Sequence, residues 1–315
     1  MSSKPPIVSI VGPTGVGKTG LSLRLAREFC GEIVSADSMA VYRGMDIGTD
    51  KPTPEKRREI PHHLIDIVDP DEEFSAGEFK ALAKRALEDI WSREKLPFLV
   101  GGTALYVRTL LYDYPLASVG ADERMRRRLY EKETSGERGT LHRMLREIDP
   151  ESANRLHPND LRRIVRAIEV YHLTGTTMTT WRERTPKEPV YPVLLLGLWL
   201  PREELYRRIE ERVDEMFREG LVEEVRGILR RFPNLGPTAS QALGYREVAA
   251  YLDGELSMEE CVELTKKNTR HFAKRQLMWF RKEPKISWIR ADRETSKARN
   301  LVGKWLKGRG EERDV

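Results

Sequence analysis

The sequence predicts an α/β protein: a parallel sheet flanked by helices, carrying a helical insertion domain. Three observations lead there. Residues 5–26 read as strand, glycine-rich loop and helix. Strand and helix patterns then alternate through the first hundred residues, the arrangement that builds a parallel sheet covered on both faces. Strand signals vanish between Val119 and Thr185 and return with the apolar run VYPVLLLGLWL at 190–200.

Ile7 to Val11 is a short apolar, β-branched run and is expected as a buried strand. The next eight residues, Gly12, Pro13, Thr14, Gly15, Val16, Gly17, Lys18 and Thr19, match G-x-x-x-x-G-K-[ST] at every fixed position. This makes the expected fold P-loop NTPase-like. Glycines let backbone amides curl around phosphate oxygens, and the helix N-terminus adds its positive dipole end. Lys18 supplies a point charge, and the Thr19 hydroxyl is a candidate Mg²⁺ ligand. The chain is therefore expected to bind a diphosphate or triphosphate.

Further strands are expected at Glu32–Ala36, Leu64–Val68 and Phe98–Val100, with helices over 18–29 and 77–93. Ligands of such sheets sit beyond the carboxyl ends of the strands. Three of those ends carry the phosphate loop, Asp37-Ser38 and Gly101-Gly102-Thr103. The stretch 119–185 is rich in arginine (Arg124, Arg126, Arg128, Arg162, Arg163, Arg166 and others), with periodic apolar residues between them that suggest several short helices. It reads as an insertion with a basic face, or as a solvated surface paired with glutamates. The core domain is then 1–118 plus 186–315, and the insertion 119–185. After the strand in 190–200, helices are expected at 202–218, 221–230, 244–252 and 258–281. Ile286–Ile289 follows as an edge strand, and the tail from Ser296 as a helix that fades into disorder.

With 315 residues, 39% hydrophobic and 33% charged, the chain can bury a sizeable core. No apolar run approaches a membrane span and no signal-peptide pattern opens the sequence. The only two cysteines, Cys30 and Cys261, fit neither a disulfide framework nor a zinc site, so they are expected as buried thiols in a reducing cytoplasm. A net charge of +5 hints mildly at a polyanionic partner.

Asp37, directly after the second strand, has the position of a general base or metal-holding carboxylate, and equally of a turn aspartate. Thr103 follows two glycines that permit close backbone approach, and its hydroxyl can serve a leaving oxygen or form an ST-turn. His62 and His63 look structural. TKKNTRHFAKRQLMWFRK (265–282) interleaves basic and aromatic residues, which suits a nucleic-acid clamp or an amphipathic helix with an aromatic inner face. Protein-kinase DFG and HRD sets are absent, as is an apolar strand ending in Asp-Glu. Transfer fits better than hydrolysis.

Over nearly the whole chain, GPTGVGKT, SADSMAVYRGMDIGTDKP, HHLIDIVDP, VGGTALYVRTL, HPNDLRRIVRAIEVYHLTG, QALGYREV and NTRHFAKRQLMWFRK occur in order. In this the sequence closely resembles the bacterial tRNA dimethylallyltransferases. The resemblance implies transfer of the dimethylallyl group from dimethylallyl diphosphate to the exocyclic amine of the adenosine 3′ of the anticodon. The tRNAs concerned would read codons beginning with U. It implies that the phosphate loop holds the donor's diphosphate with Mg²⁺, joined by Arg212, and that Asp37 accepts the amine proton with Thr103 close by. It further implies contacts with the tRNA anticodon stem-loop from Asp37, Ser38, Met39, Ala40, Thr103, Arg126, Leu161, Arg162, Arg163, Ile164 and Val165. A cytoplasmic monomer with no membrane partner is expected. Two departures stand out. Ala40 replaces a frequent Gln, which removes any base contact by that side chain but leaves backbone contacts open, and Gly15 replaces a more usual alanine, expected to be harmless.

Three other readings compete: a P-loop small-molecule or nucleotide kinase, a prenyltransferase acting on free AMP, and a non-catalytic RNA-binding switch. The arginine-rich insertion argues against the first two, and the lack of an N-K-x-D motif against the third.

Overall fold

The computed structural model describes residues 4–116 and 120–311. The expected domain boundary at 118/119 and residues 312–315 lie outside them. The chain divides into two compact units, Met1–Leu110 with Tyr191–Val315, and Leu111–Val190.

The first unit begins with β1 (Ile7–Val11), α1 (Lys18–Glu28), β2 (Gly31–Ser35), α2 (Pro54–Glu59) and β3 (His62–His63). It continues through α3 (Ala76–Ser92), β4 (Leu96–Gly101) and α4 (Ala104–Leu111), whose last residue begins the second unit. All strands pair in parallel in a six-stranded sheet of order β3-β2-β4-β1-β5-β6, where β5 is Val193–Trp199 and β6 is Ser287–Arg290. Every residue of β1 is buried, as a strand covered on both faces requires. Its register sets Val8 beside Phe98 and Ile7 beside Val193. Local signals start the helices: Thr53 caps α2 ahead of Pro54, and a Ser75/Glu78 capping box opens α3.

The strand expected over Leu64–Val68 is absent. Only His62 and His63 pair with β2, after which Leu64 (φ 66°) and Asp66 (φ 56°) take left-handed conformations that no strand accommodates. The turn is retained because Leu64 is buried and the Asp66 carboxylate binds Lys51 at 2.6 Å and Arg57 at 2.5 Å. Sequence patterning also passed over α2 and α4, both of eight residues or fewer.

The second unit is helical: α5 (Glu123–Ser135), α6 (Thr140–Ile148), α7 (Pro150–Arg155), α8 (Leu161–Thr174) and α9 (Met178–Glu183). Leu129, Leu141, Leu145, Ile164, Val165 and Ile168 form its core. After β5, the first unit resumes with α10 (Arg202–Arg218), α11 (Leu221–Arg231), α12 (Tyr245–Leu252) and α13 (Met258–Phe280). A final helix, α14 (Thr295–Glu311), follows β6. Among the described residues no helix is long and apolar enough to cross a membrane.

Candidate active site

The strand order places β2, β4 and β1 side by side, so their carboxyl ends bring the expected residues to one rim. From β1 the chain enters the phosphate loop. Gly15 has φ 76°, and a Cβ there would lie 2.9 Å from Ile209 Cγ1, so glycine is the residue this backbone favours. The Lys18 ammonium, the first residue of α1, donates to Pro13 O at 2.8 Å. Burial pushes Lys18 down to about 8; the nearby Asp37 and Asp50 carboxylates oppose the shift and the Arg212 guanidinium adds to it.

Arg212 reaches the loop from α10. It donates to Thr14 Oγ1 at 3.1 Å and pairs with Asp50 at 3.3 Å, while its buried Nε–H has no partner among the described residues. Asp50 is presented by a turn clamped by Glu224 of α11. The Glu224 carboxylate accepts from Ile47 N at 2.9 Å, Asp46 N at 3.1 Å and the Tyr245 hydroxyl at 2.6 Å.

β2 and β4 supply the other side. Asp37 Oδ1 accepts from Met39 N at 2.8 Å, the turn-aspartate bond; Oδ2 is bonded by no described residue. The Thr103 hydroxyl accepts from Ser38 N at 3.0 Å and donates to Ser38 Oγ at 3.3 Å, and Thr103 N donates to Ala36 O at 3.1 Å. Thr103 thus holds the turn that presents Asp37. Gly101 lets the strand ends approach: a Cβ there would lie 2.1 Å from Ala36 O.

The structure corrects several expectations. Ile164 and Val165 are core residues of the helical unit, so their side chains offer nothing to RNA. Ala40 is buried and both of its backbone groups are used, its N–H toward Asp37 and its carbonyl toward Asp66 N. Cys30 is exposed, whereas Cys261 is buried and pushed up to about 11 by that burial. Arg162 and Arg163 are exposed at the start of α8, with Leu161 half-buried beside them. Arg126 is held by the fully buried Glu169 through contacts of 2.9 and 3.1 Å, and Arg166 joins the same carboxylate at 2.5 Å. Burial pushes the Glu169 carboxyl up, but the two guanidiniums outweigh it and hold it below the usual range. His62 and His63 bond Ile60 O and Glu32, as structural histidines. Helix α13 satisfies both readings of its sequence. Ala273, Gln276 and Phe280 face inward, Lys266 pairs with Asp214 at 2.7 Å, and Met278 and Trp279 remain exposed.

The rim therefore joins a phosphate cradle to a carboxylate, and similarity to known proteins decides the class. A family model described as IPP transferase matches residues 40–283. The chain belongs to the IPP transferase family. It is 53% identical over 286 residues to a tRNA dimethylallyltransferase of Symbiobacterium thermophilum, covering 91% of this chain and 89% of that one. A second tRNA dimethylallyltransferase, from Desulforudis audaxviator, is 48% identical, with 96% and 98% covered. The structure of a full-length tRNA isopentenylpyrophosphate transferase from Bacillus halodurans aligns with TM-score 0.74 at 40% identity, covering 99% of this chain and all of that one. A eukaryotic dimethylallyltransferase described as acting on tRNA aligns with TM-score 0.82 at 29% identity, covering 96% of this chain and 80% of that one. This chain is a transferase of that family, with its P-loop NTPase-like fold.

Proposed function

We propose that this transferase moves the dimethylallyl group from dimethylallyl diphosphate to the exocyclic amine of the adenosine immediately 3′ of the anticodon, in tRNAs reading codons that begin with U. The carrying observation is the shared rim: the Lys18 ammonium lies within electrostatic reach of the Asp37 carboxylate. A leaving diphosphate and an incoming amine are thereby served from the ends of β1 and β2, which flank β4 on one rim of the sheet.

The Lys18 ammonium, the Arg212 guanidinium and the loop amides other than Thr14, whose N–H is bonded to Gln276, and Pro13, which has none, hold the diphosphate. They stabilise the charge that accumulates as the carbon–oxygen bond lengthens. The Arg212 Nε–H, without a partner among the described residues, is a donor suited to an anion. The amine nitrogen attacks the allylic carbon, and Asp37 Oδ2 accepts the amine proton while Oδ1 keeps the turn in place. Thr103 positions Asp37 through Ser38 and stands where the base arrives.

Mg²⁺ fits this donor set. Among the described residues no group of three or more His, Cys, Asp or Glu side chains is arranged for a metal. Mg²⁺ commonly keeps its waters and takes one or two protein oxygens with the substrate's phosphates. Thr19, in the first turn of α1, would supply the hydroxyl. When bound, the ion neutralises charge on the leaving diphosphate.

The 111–190 unit serves the tRNA anticodon stem-loop. Arg162 and Arg163 are among its exposed cations, and the half-buried Arg126 is oriented by Glu169. Backbone phosphates are the natural partners of such a set. The protein is proposed to act in the cytoplasm as a monomer.

Incubation with labelled dimethylallyl diphosphate, Mg²⁺ and unmodified tRNA, beside tubes holding AMP or ATP, tests the reaction. Label in one adenosine of the tRNA alone is expected. Label in AMP, or ATP consumption with a small acceptor and no prenyl transfer, would overturn the proposal.

A further inference from the structure

We infer that Gln276 is a positioning residue that locks the donor loop to the acceptor turn and thereby keeps prenyl transfer coupled. This rests on the prenyl-transfer reading of the rim. Gln276 lies on the inward face of α13 and is 7% exposed. Its carboxamide is used at both ends. Oε1 accepts from Thr14 N at 2.8 Å, inside the phosphate loop, and Nε2 donates to Gly102 O at 3.0 Å, one residue before Thr103. A Cβ on Gly102 would lie 2.2 Å from Nε2, so the glycine there makes room for this bond.

Two consequences follow. Thr14 is held at two of its polar groups, its N–H by Gln276 of α13 and its hydroxyl by Arg212 of α10. The loop is therefore shaped without an anion, and its Thr14 amide is committed to the protein. Pre-organised donors stabilise developing charge without reorganising at the moment of reaction. Second, a single rigid amide spans from the loop that holds the leaving group to the end of β4, next to the Thr103 that braces the Asp37 turn. Thr103 passes the constraint on, through its N–H to Ala36 O and its hydroxyl to Ser38. Helix α13 is itself anchored, by Ala273 and Phe280 in the core and by Lys266 and Arg270 on Asp214 and Glu210 of α10.

The chemistry makes the distance between the two sides important. As the bond to diphosphate breaks, the allylic carbon becomes cation-like and any nearby nucleophile competes for it. In the coupled reaction the adenosine nitrogen takes that carbon and loses a proton to Asp37. In the uncoupled one, water takes it, giving dimethylallyl alcohol, diphosphate and a proton. Small misplacements of reacting groups cost about 100-fold in rate.

The test compares wild-type enzyme with Gln276→Ala and Gln276→Glu, measuring diphosphate released, prenylated adenosine formed and dimethylallyl alcohol. For wild type the first two should match. Gln276→Ala should lower kcat by about 10- to 100-fold with KM for tRNA unchanged, and part of the diphosphate should appear with alcohol instead of modified tRNA. Gln276→Glu keeps an acceptor for Thr14 N–H but has no donor for Gly102 O, so it should uncouple as well. A merely structural residue would lower the amount of active enzyme and leave the ratio of alcohol to modified tRNA at its wild-type value, which would overturn the inference. Amide hydrogen exchange of the ligand-free wild-type enzyme needs no variant: Thr14 N–H should be protected, and rapid exchange there would equally overturn it. Failure of wild-type enzyme to prenylate tRNA at all would instead count against the underlying reaction.

Discussion

Raising the pH from about 7 to about 9.5 should weaken binding of dimethylallyl diphosphate about 30-fold, through one side chain. Burial holds Lys18 at about 8 in the ligand-free enzyme, with Arg212 pushing in the same direction against Asp37 and Asp50. The sign follows from which form binds. The ammonium attracts the diphosphate and the neutral amine does not, so affinity is fully present below that pKa and is lost as pH rises through it. With a pKa of about 8, the protonated fraction falls from about nine-tenths at pH 7 to about 3% at pH 9.5, equivalent to about 2 kcal/mol. The bound diphosphate keeps the lysine charged, so the loss appears in the dissociation constant, with log Kd rising about one unit per pH unit above the inflection. Titration calorimetry with the donor alone measures this. Lys18→Arg is the control: its guanidinium stays charged throughout, so whatever its affinity, the profile should be flat. A flat profile for the wild type, or the same decline in Lys18→Arg, would refute the reasoning.

Three further outcomes follow from other contacts. Asp37→Ala should retain donor and tRNA binding while the transfer rate falls by about 100-fold or more, measured by single-turnover prenylation; undiminished turnover removes Asp37 as the base. Arg162→Ala with Arg163→Ala should weaken tRNA binding with donor affinity unchanged, and the dependence of affinity on salt should become shallower; an unchanged salt slope would return these arginines to the solvated-surface reading. Glu169→Ala leaves Arg126 and Arg166 without their shared carboxylate. Breaking a buried pair costs about 3–5 kcal/mol, but the two arginines, 31% and 34% exposed, can turn to water. The expected loss is therefore about 2 kcal/mol, read by denaturant unfolding of the full chain. Because Glu169 is held below the ordinary carboxylate range, its contribution is present above about pH 4 and should fade as pH drops through the depressed value.

Local patterns were legible wherever the physics is local. The β1 run, the phosphate loop and the periodic helices α10 and α13 follow from residue type and spacing, and the structure places them within a residue or two of expectation. Leu64–Val68 was misread because an apolar alternation says nothing of positive φ, which is set here by the contacts of Asp66 with Lys51 and Arg57. Ile164 and Val165 share a motif with Arg162 and Arg163, yet helical geometry turns adjacent residues to different faces.

By itself, then, the sequence determined the strand–loop–helix that cradles phosphate, the α/β alternation and the ordered motifs of its family. Only the tertiary structure decided what meets Thr14. Arg212 is 198 residues away and Gln276 is 262 residues away. Such partners leave no periodic trace, since their encounter depends on how α10 and α13 pack beside the sheet. For the same reason the deep burial of the Glu169 carboxylate beneath two arginines was invisible. Charge is written in the sequence, but solvation is decided by the fold.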